Sequence, residues 1–205
     1  MAGSNRIRLT VASYNLHGFN QGRNLLSSLC DTYDILFVQE HWLATYDFDK
    51  LHNITDKMVC FASSAIDDII SRDCLIGRPF GGVAVFIKQR YAHKVNLISL
   101  SKRYIILLVD NLLLINVYLP CISTVDREDE YIECLASIMN DISELQFSDV
   151  IFGGDLNMKL NNKSNLCKQL CSFASDLQLR FVDDKISSID TVSYTHLTLP
   201  TIDSV

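Results

Sequence analysis

The sequence predicts a layered α+β domain, and three observations carry that expectation. A strand, a helix and a second, wholly apolar strand follow one another near the N-terminal end, which is the unit of layered α/β architecture. Three strands at close spacing then form an antiparallel meander, so the fold is α+β and not a purely doubly wound sheet. Two amphipathic helices bracket a late apolar strand. The chain of 205 residues is 48% hydrophobic and 20% charged with only three prolines, which suits one domain, 1–205, with a sizeable core. The longest apolar run is far shorter than the ~20 residues of a membrane helix. Residues 1–8 are polar with no signal-peptide core behind them, so an intracellular protein without a membrane partner is expected. The formal net charge of −6 argues against a chain that coats nucleic acid by bulk charge. It leaves room for an enzyme that grips a phosphate through a metal held by acidic residues. Seven cysteines without a Cys-x-x-Cys pair read as free thiols in a reducing compartment.

Taken in order, Ile7 to Tyr14 alternates as a first strand, with Asn15 at its end. Gly18 to Gly22 reads as a polar turn, and Leu25, Leu26 and Leu29 mark a short helix. Asp34 to Val38 is a continuous apolar run of strand length, the pattern of a strand buried on both faces. The mixed stretch from Ala44 to Ile76 offers one strand, Met58 to Ser63. Gly81 to Ile87 is another buried strand. Val95 to Leu100, Tyr104 to Val109 and Leu112 to Tyr118 make the meander, with Asp110-Asn111 as a two-residue hairpin turn. Tyr131, Ile132, Leu135, Ile138, Met139, Ile142 and Leu145 keep helical spacing. The chain then returns to an apolar strand, Val150 to Phe152, closed by Gly153-Gly154 as a tight turn. Leu166, Leu170, Phe173, Ala174 and Leu177 make the last helix, with Asn165 as its expected N-cap.

Several strands end in small polar groups: Asn15 after the first, Glu40 after the second, Asn116, Tyr118 and Pro120 at the end of the meander, and Asp155 with Asn157 at the late strand. The stretch from Gly153 to Asn157, taken alone, is equally well an ordinary strand-to-loop turn. Extended backbone would place Asp155 and Asn157, two residues apart, on one face. In a packed-sheet domain the strand ends on one rim form the usual site for chemistry. A carboxylate pair with amides is what a hard cation such as Mg²⁺ takes, since it uses one or two carboxylates and keeps positions for phosphate and water.

The motifs Ser13 to Gly18, Val38 to Trp42, Gly81 to Ala84, Asn116 to Pro120 and Gly153 to Asn157 resemble, in order, those of the endonuclease/exonuclease/phosphatase superfamily. Gln39-Glu40-His41-Trp42 and Gly77-Arg78-Pro79-Phe80-Gly81-Gly82 are similar to the apurinic-endonuclease-like domain of non-LTR (LINE-type) retrotransposons. The match covers roughly residues 8–182. The resemblance implies a four-layered α/β/β/α sandwich, two packed mixed sheets with helices outside, and a metal-dependent phosphodiesterase. It implies Glu40 as the metal ligand, with Asn15 supporting metal and phosphate, and Tyr118 at the scissile phosphate. Asp155 would activate the attacking water and Asn157 stabilise the developing charge. His17, His41 and Arg78 flank matched positions as candidate substrate contacts. The implied cofactor is Mg²⁺, with Mn²⁺ as a substitute. The implied substrate is DNA, nicked in the nucleus, with a reverse-transcriptase domain expected downstream in a longer polyprotein.

The family closes its site with a Ser-Asp-His or Ile-Asp-His motif. Here Ile189-Asp190 and Ile202-Asp203 are followed by Thr191 and Ser204. Thr191 to Val205 shows neither strand alternation nor helix spacing and reads as a tail foreign to the domain, with the last strands of the fold missing. Two alternatives therefore stand beside the nicking endonuclease. One is a phosphatase or phosphodiesterase of the same fold acting on inositol phosphates, lipids or RNA; the other is a catalytically inactive truncated fragment.

Overall fold

The computed structural model describes residues 9–71, 74–75, 77–121, 126–158 and 164–180. Two four-stranded sheets pack face to face between helices, the four-layered α+β arrangement implied by the ordered motifs. The first sheet is built from β1 (Val11–Asn15), β2 (Ile35–Gln39), β3 (Met58–Ser63) and β6 (Val83–Lys88). Their spatial order is β1-β2-β6-β3, with β1 parallel to β2 and the other pairs antiparallel. The second sheet takes β7 (Val95–Leu100), β8 (Tyr104–Val109), β9 (Leu112–Tyr118) and β10 (Asp149–Asp155). Its order is β10-β9-β8-β7, and β10 runs parallel to β9. A short ribbon, β4 (Ile70–Ser71) with β5 (Cys74–Leu75), lies apart from both.

Strand alternation sorts the core into layers. From β2, Ile35 and Phe37 face inward to meet Ile105, Leu107, Leu114 and Ile151 of the second sheet. Leu36 and Val38 face outward against Leu26 and Cys30 of α1 (Phe19–Thr32). On the far side, Ile106, Leu113, Ile115 and Val117 pack beneath α3 (Asp126–Ile142) and α4 (Asn165–Asp176). Each fully buried Leu, Ile or Phe of this kind contributes about 1.5–3 kcal/mol relative to exposure. A single-turn helix, α2 (Asp49–His52), buries Leu51 at the edge of the first sheet's outer layer. Among the described residues no helix is long and apolar enough to cross a membrane.

Four local expectations change. Gly18 to Gly22 is not a turn: Phe19 begins α1, and a Cβ at Gly22 would lie 2.2 Å from Leu16 Cδ2, so glycine here serves packing. The Gly153-Gly154 pair does not close its strand but lies inside it, with Gly153 beside Asn116 and Gly154 beside Val117. The N-cap of α4 is Ser164, whose hydroxyl accepts from Cys167 N, and Asn165 is the first helical residue. β1 takes in Asn15, which the sequence placed just beyond the strand's end. The meander keeps its expected bounds, and Asp110 adopts φ 51° in its turn. The readings beyond Arg180, including the tail and the unmatched Asp-His motif, lie outside the described residues.

Candidate active site

Both sheets end a parallel strand pair on the same rim. Asn15 lies beside Gln39 at the end of β1 and β2, and Asp155 beside Tyr118 at the end of β10 and β9. Asn15 joins the two halves. Its amide nitrogen donates to Glu40 Oε1 at 2.8 Å and to Asp155 Oδ2 at 3.0 Å, bridging carboxylates from different sheets. Its amide oxygen accepts from the backbone N–H of His17 at 3.0 Å. That backbone donor fixes the amide's orientation, so Asn15 presents its N–H groups to the two carboxylates.

Glu40 is held in an unusual backbone state, φ 56°, as are His17 (47°) and Trp42 (56°). Left-handed backbone at three non-glycine residues is costly and is sustained here by main-chain bonds. Glu40 N donates to Gly82 O, Trp42 N to Gly81 O, and Gly18 N to Glu40 O. The Trp42 indole N–H donates to Glu40 Oε2 at 3.2 Å, and His17 Nδ1 lies 3.7 Å from the same oxygen. The Trp42 ring covers Gly18, where an added Cβ would meet it at 2.5 Å.

On the second sheet, burial raises the Asp155 carboxyl's pKa from its ordinary value, and the neighbouring Glu40 charge adds to this. Hydrogen bonds from Asn157 N and the Asn15 amide oppose the rise. Burial likewise raises the Tyr118 hydroxyl, reinforced by the charges of Glu40 and Asp155 and opposed by Arg103, so Tyr118 stays a protonated donor at neutral pH. Asn157 does not share extended backbone with Asp155. It sits at φ 48°, donates its backbone N–H to Asp155 Oδ1 at 3.0 Å, and directs its side-chain amide to Leu119 O at 2.7 Å.

The structure separates the two histidines. His17 is on the rim, whereas His41 is fully enclosed, its Nδ1 accepting from Leu43 N and its Nε2 meeting Ser63 O, each at 3.0 Å. Burial holds its pKa down at about 4, so it is a neutral packing residue beneath Gly82 and not a substrate contact. Arg78 is exposed in the loop that leads to Gly81, and Gly81 lies against the Tyr118 ring.

Beneath the rim runs a polar chain that sequence reasoning missed. Ser13 and Gln39 exchange hydrogen bonds at 3.3 and 3.1 Å. Gln39 Nε2 donates to Asn116 Oδ1 at 2.7 Å, and the Asn116 amide donates across to Val38 O and Ala84 O at 3.0 and 2.9 Å. The only sequence signal for it is polar Asn116 inside an apolar run.

Among the described residues, no three His, Cys, Asp or Glu side chains group as a metal cage. Two carboxylates brought together on a rim, with one of them raised toward protonation, nevertheless fit a hard divalent cation, which relieves like-charge proximity and leaves room for phosphate.

No protein-family model and no curated protein matches the chain. Solved structures do. An AP endonuclease from Archaeoglobus fulgidus superposes with a TM-score of 0.58 at 15% identity, covering 82% of this chain and 70% of its own. The 3′ phosphatase NExo from Neisseria, bound to a product DNA hairpin, gives 0.61 at 14% identity over 82% and 71%. The endonuclease domain of TRAS1, a telomere-specific non-LTR retrotransposon, gives 0.54 at 14% identity over 83% and 73%. The chain has the fold of the endonuclease/exonuclease/phosphatase superfamily, the fold shared by these structures.

Proposed function

We propose that this chain is a divalent-metal-dependent phosphodiesterase that nicks DNA, the endonuclease domain of a non-LTR retrotransposon. The observation that carries the reading is the Asn15 amide bridging Glu40 and Asp155 across the two sheets. Such a bridge sets two carboxylates side by side on the rim where both parallel strand pairs end. Glu40, with Asp155 beside it, would hold the cation, Mg²⁺ or Mn²⁺, which supplies neutralisation of charge on the phosphate.

The chain's own groups do the rest. Asp155, made more basic by burial, orients a water and takes its proton. Tyr118, protonated and beside Glu40, donates to a phosphate oxygen. Asn157 spends one amide N–H on Leu119 O, and its second N–H serves the charge that develops. His17, beside Glu40, and the exposed Arg78 contact the substrate backbone.

DNA as substrate is supported by the neighbours, of which one is bound to a DNA hairpin and another is a retrotransposon endonuclease domain. The retrotransposon assignment rests on the Gln39-to-Trp42 and Gly77-to-Gly82 motifs. A reverse-transcriptase domain elsewhere in a longer polyprotein and action on nuclear DNA follow from this reading.

The test joins a binding measurement to a cleavage assay. Mg²⁺ should raise the melting temperature of the wild-type chain and not that of Glu40→Gln, because a ligand stabilises only the state that binds it. Supercoiled plasmid should be nicked in Mg²⁺ and spared by chelator or by Glu40→Gln. A variant that keeps both responses would remove Glu40 from the centre.

A further inference from the structure

Behind Tyr118 lies a second feature that the catalytic reading does not use. A cleft of about 210 Å³ is lined by Phe80, Lys102, Arg103, Arg127, Asp68 and Glu130. It shares a wall with the site. The Arg103 guanidinium sits 5.5 Å from the centre of the Tyr118 ring, and Tyr118 N donates to Arg103 O.

The charges are arranged unequally. Arg103 is pinned by Glu130, with Nε and Nη2 donating to one carboxylate oxygen at 3.0 and 2.6 Å. Lys102 reaches Asp68 only at 4.0 Å, with both side chains well exposed. Arg127 is exposed and makes no ion pair among the described residues. Among the side chains that line the cleft three cations face two carboxylates, and the two cations not locked in place face solvent. Phe80 is a large apolar ring left 41% exposed at the edge of the same cleft.

We propose that this cleft holds a backbone phosphate of the DNA strand next to the one that is cleaved, with the base of that nucleotide stacked on Phe80. The inference rests on the phosphodiesterase reading, because it uses the strand whose scissile phosphate meets Tyr118. Exposed Lys and Arg around a fixed guanidinium suit a phosphate, which such groups bind as charge with little sequence preference. An exposed aromatic ring suits any base, since every base offers a stacking face. A strand crossing from Tyr118 over Arg103 therefore meets first a cation and then a ring.

The experiment is fluorescence anisotropy of a short labelled DNA duplex with a single-stranded overhang, whose unpaired bases are free to stack, without divalent metal so that nothing is cut, across a series of salt concentrations. For Lys102→Ala/Arg127→Ala the slope of log affinity against log salt should fall by about one relative to wild type, for the one phosphate no longer neutralised. Phe80→Ala should weaken binding with the slope unchanged. An unaltered slope in the double variant, or no binding by the wild-type chain, overturns the cleft. The Mg²⁺-dependent rise in melting temperature judges the catalytic reading apart from it. If that rise persists while the slope does not change, only the cleft fails; if the rise is absent, the phosphodiesterase reading fails whatever the slope.

Discussion

Each sheet carries its share of the rim at the end of a parallel strand pair, β1 with β2 and β9 with β10, yet the two pairs are held by opposite means. The first is held by side chains and by backbone forced left-handed. Ser13 and Gln39 link β1 to β2 from below, where Asn116 reaches across from β9, and His17, Glu40 and Trp42 take positive φ above. The second is held by the absence of side chains. Gly153 faces the Phe37 ring and Gly154 presses its backbone onto that of Val117. Where several side chains share a task, removing one leaves the others. Where two backbones touch, one added methyl group has nowhere to go.

The largest effect should therefore come from Gly154→Ala. The new Cβ would lie 2.0 Å from Val117 O and 2.8 Å from Val117 N, at φ +127°. Both obstacles are backbone, so relief requires breaking the β9–β10 pairing that brings Tyr118 to Asp155. A loss above about 4 kcal/mol is expected in urea unfolding. Gly153→Ala, whose Cβ would meet the Phe37 ring at 3.2 Å, should cost only about 1 kcal/mol, since a side chain can shift. Equal losses at the two positions would remove the contrast between them.

That same pair marks where sequence reading stopped. The apolar runs of β2, β8 and β9 and the helical spacing of α3 give their elements away, because burial on both faces or on one stripe leaves a period in the residues themselves. The ordered motifs likewise led to Asn15, Glu40, Tyr118, Asp155 and Asn157, all of which the structure sets on the rim. Gly153-Gly154 reads as a turn because glycine's local preference is visible and its neighbour's backbone is not. His17 and His41 flank equivalent motifs, and nothing local tells that one faces the rim while the other lies under Gly82 with both ring nitrogens taken by the main chain. Positive φ at Glu40 is invisible in a residue that seldom adopts it. Asn116 shows only as a polar letter in an apolar run; its three partners are 32 to 78 residues away.

Asn116→Leu tests the side-chain half of the comparison. Leucine matches the volume but leaves one Gln39 N–H, Val38 O and Ala84 O without the asparagine in a site that is wholly buried. A loss of about 2–3 kcal/mol is expected by denaturant unfolding, smaller than at Gly154 because Gln39 keeps its bonds with Ser13. A cost below about 1 kcal/mol would mean that apolar contacts alone hold the sheets in register at this point.

Asp155→Asn should perturb the fold least and the chemistry most. Burial raises the carboxyl's pKa in the folded chain. The native state thus holds that proton more tightly than the unfolded state does. The group's favourable contribution is complete at pH below the ordinary carboxylate range and is lost as pH rises through its folded pKa. Asparagine carries no charge to bury and escapes that loss, but it turns an amide N–H toward one of two donors, Asn157 N or the Asn15 amide, that the carboxylate satisfied. The two effects offset, and the change in stability at neutral pH should stay within about 1 kcal/mol. Stability should vary less in the variant than in the wild type as pH rises from the ordinary carboxylate value through the raised folded one. Plasmid nicking, in contrast, should fall at least about 100-fold with the loss of a general base. Urea midpoints measured at several pH values beside the nicking rate check both sides. If the variant loses as much stability as Asn116→Leu does, then Asp155 serves chiefly to tie the sheets together, and the rim's basic group must be sought elsewhere.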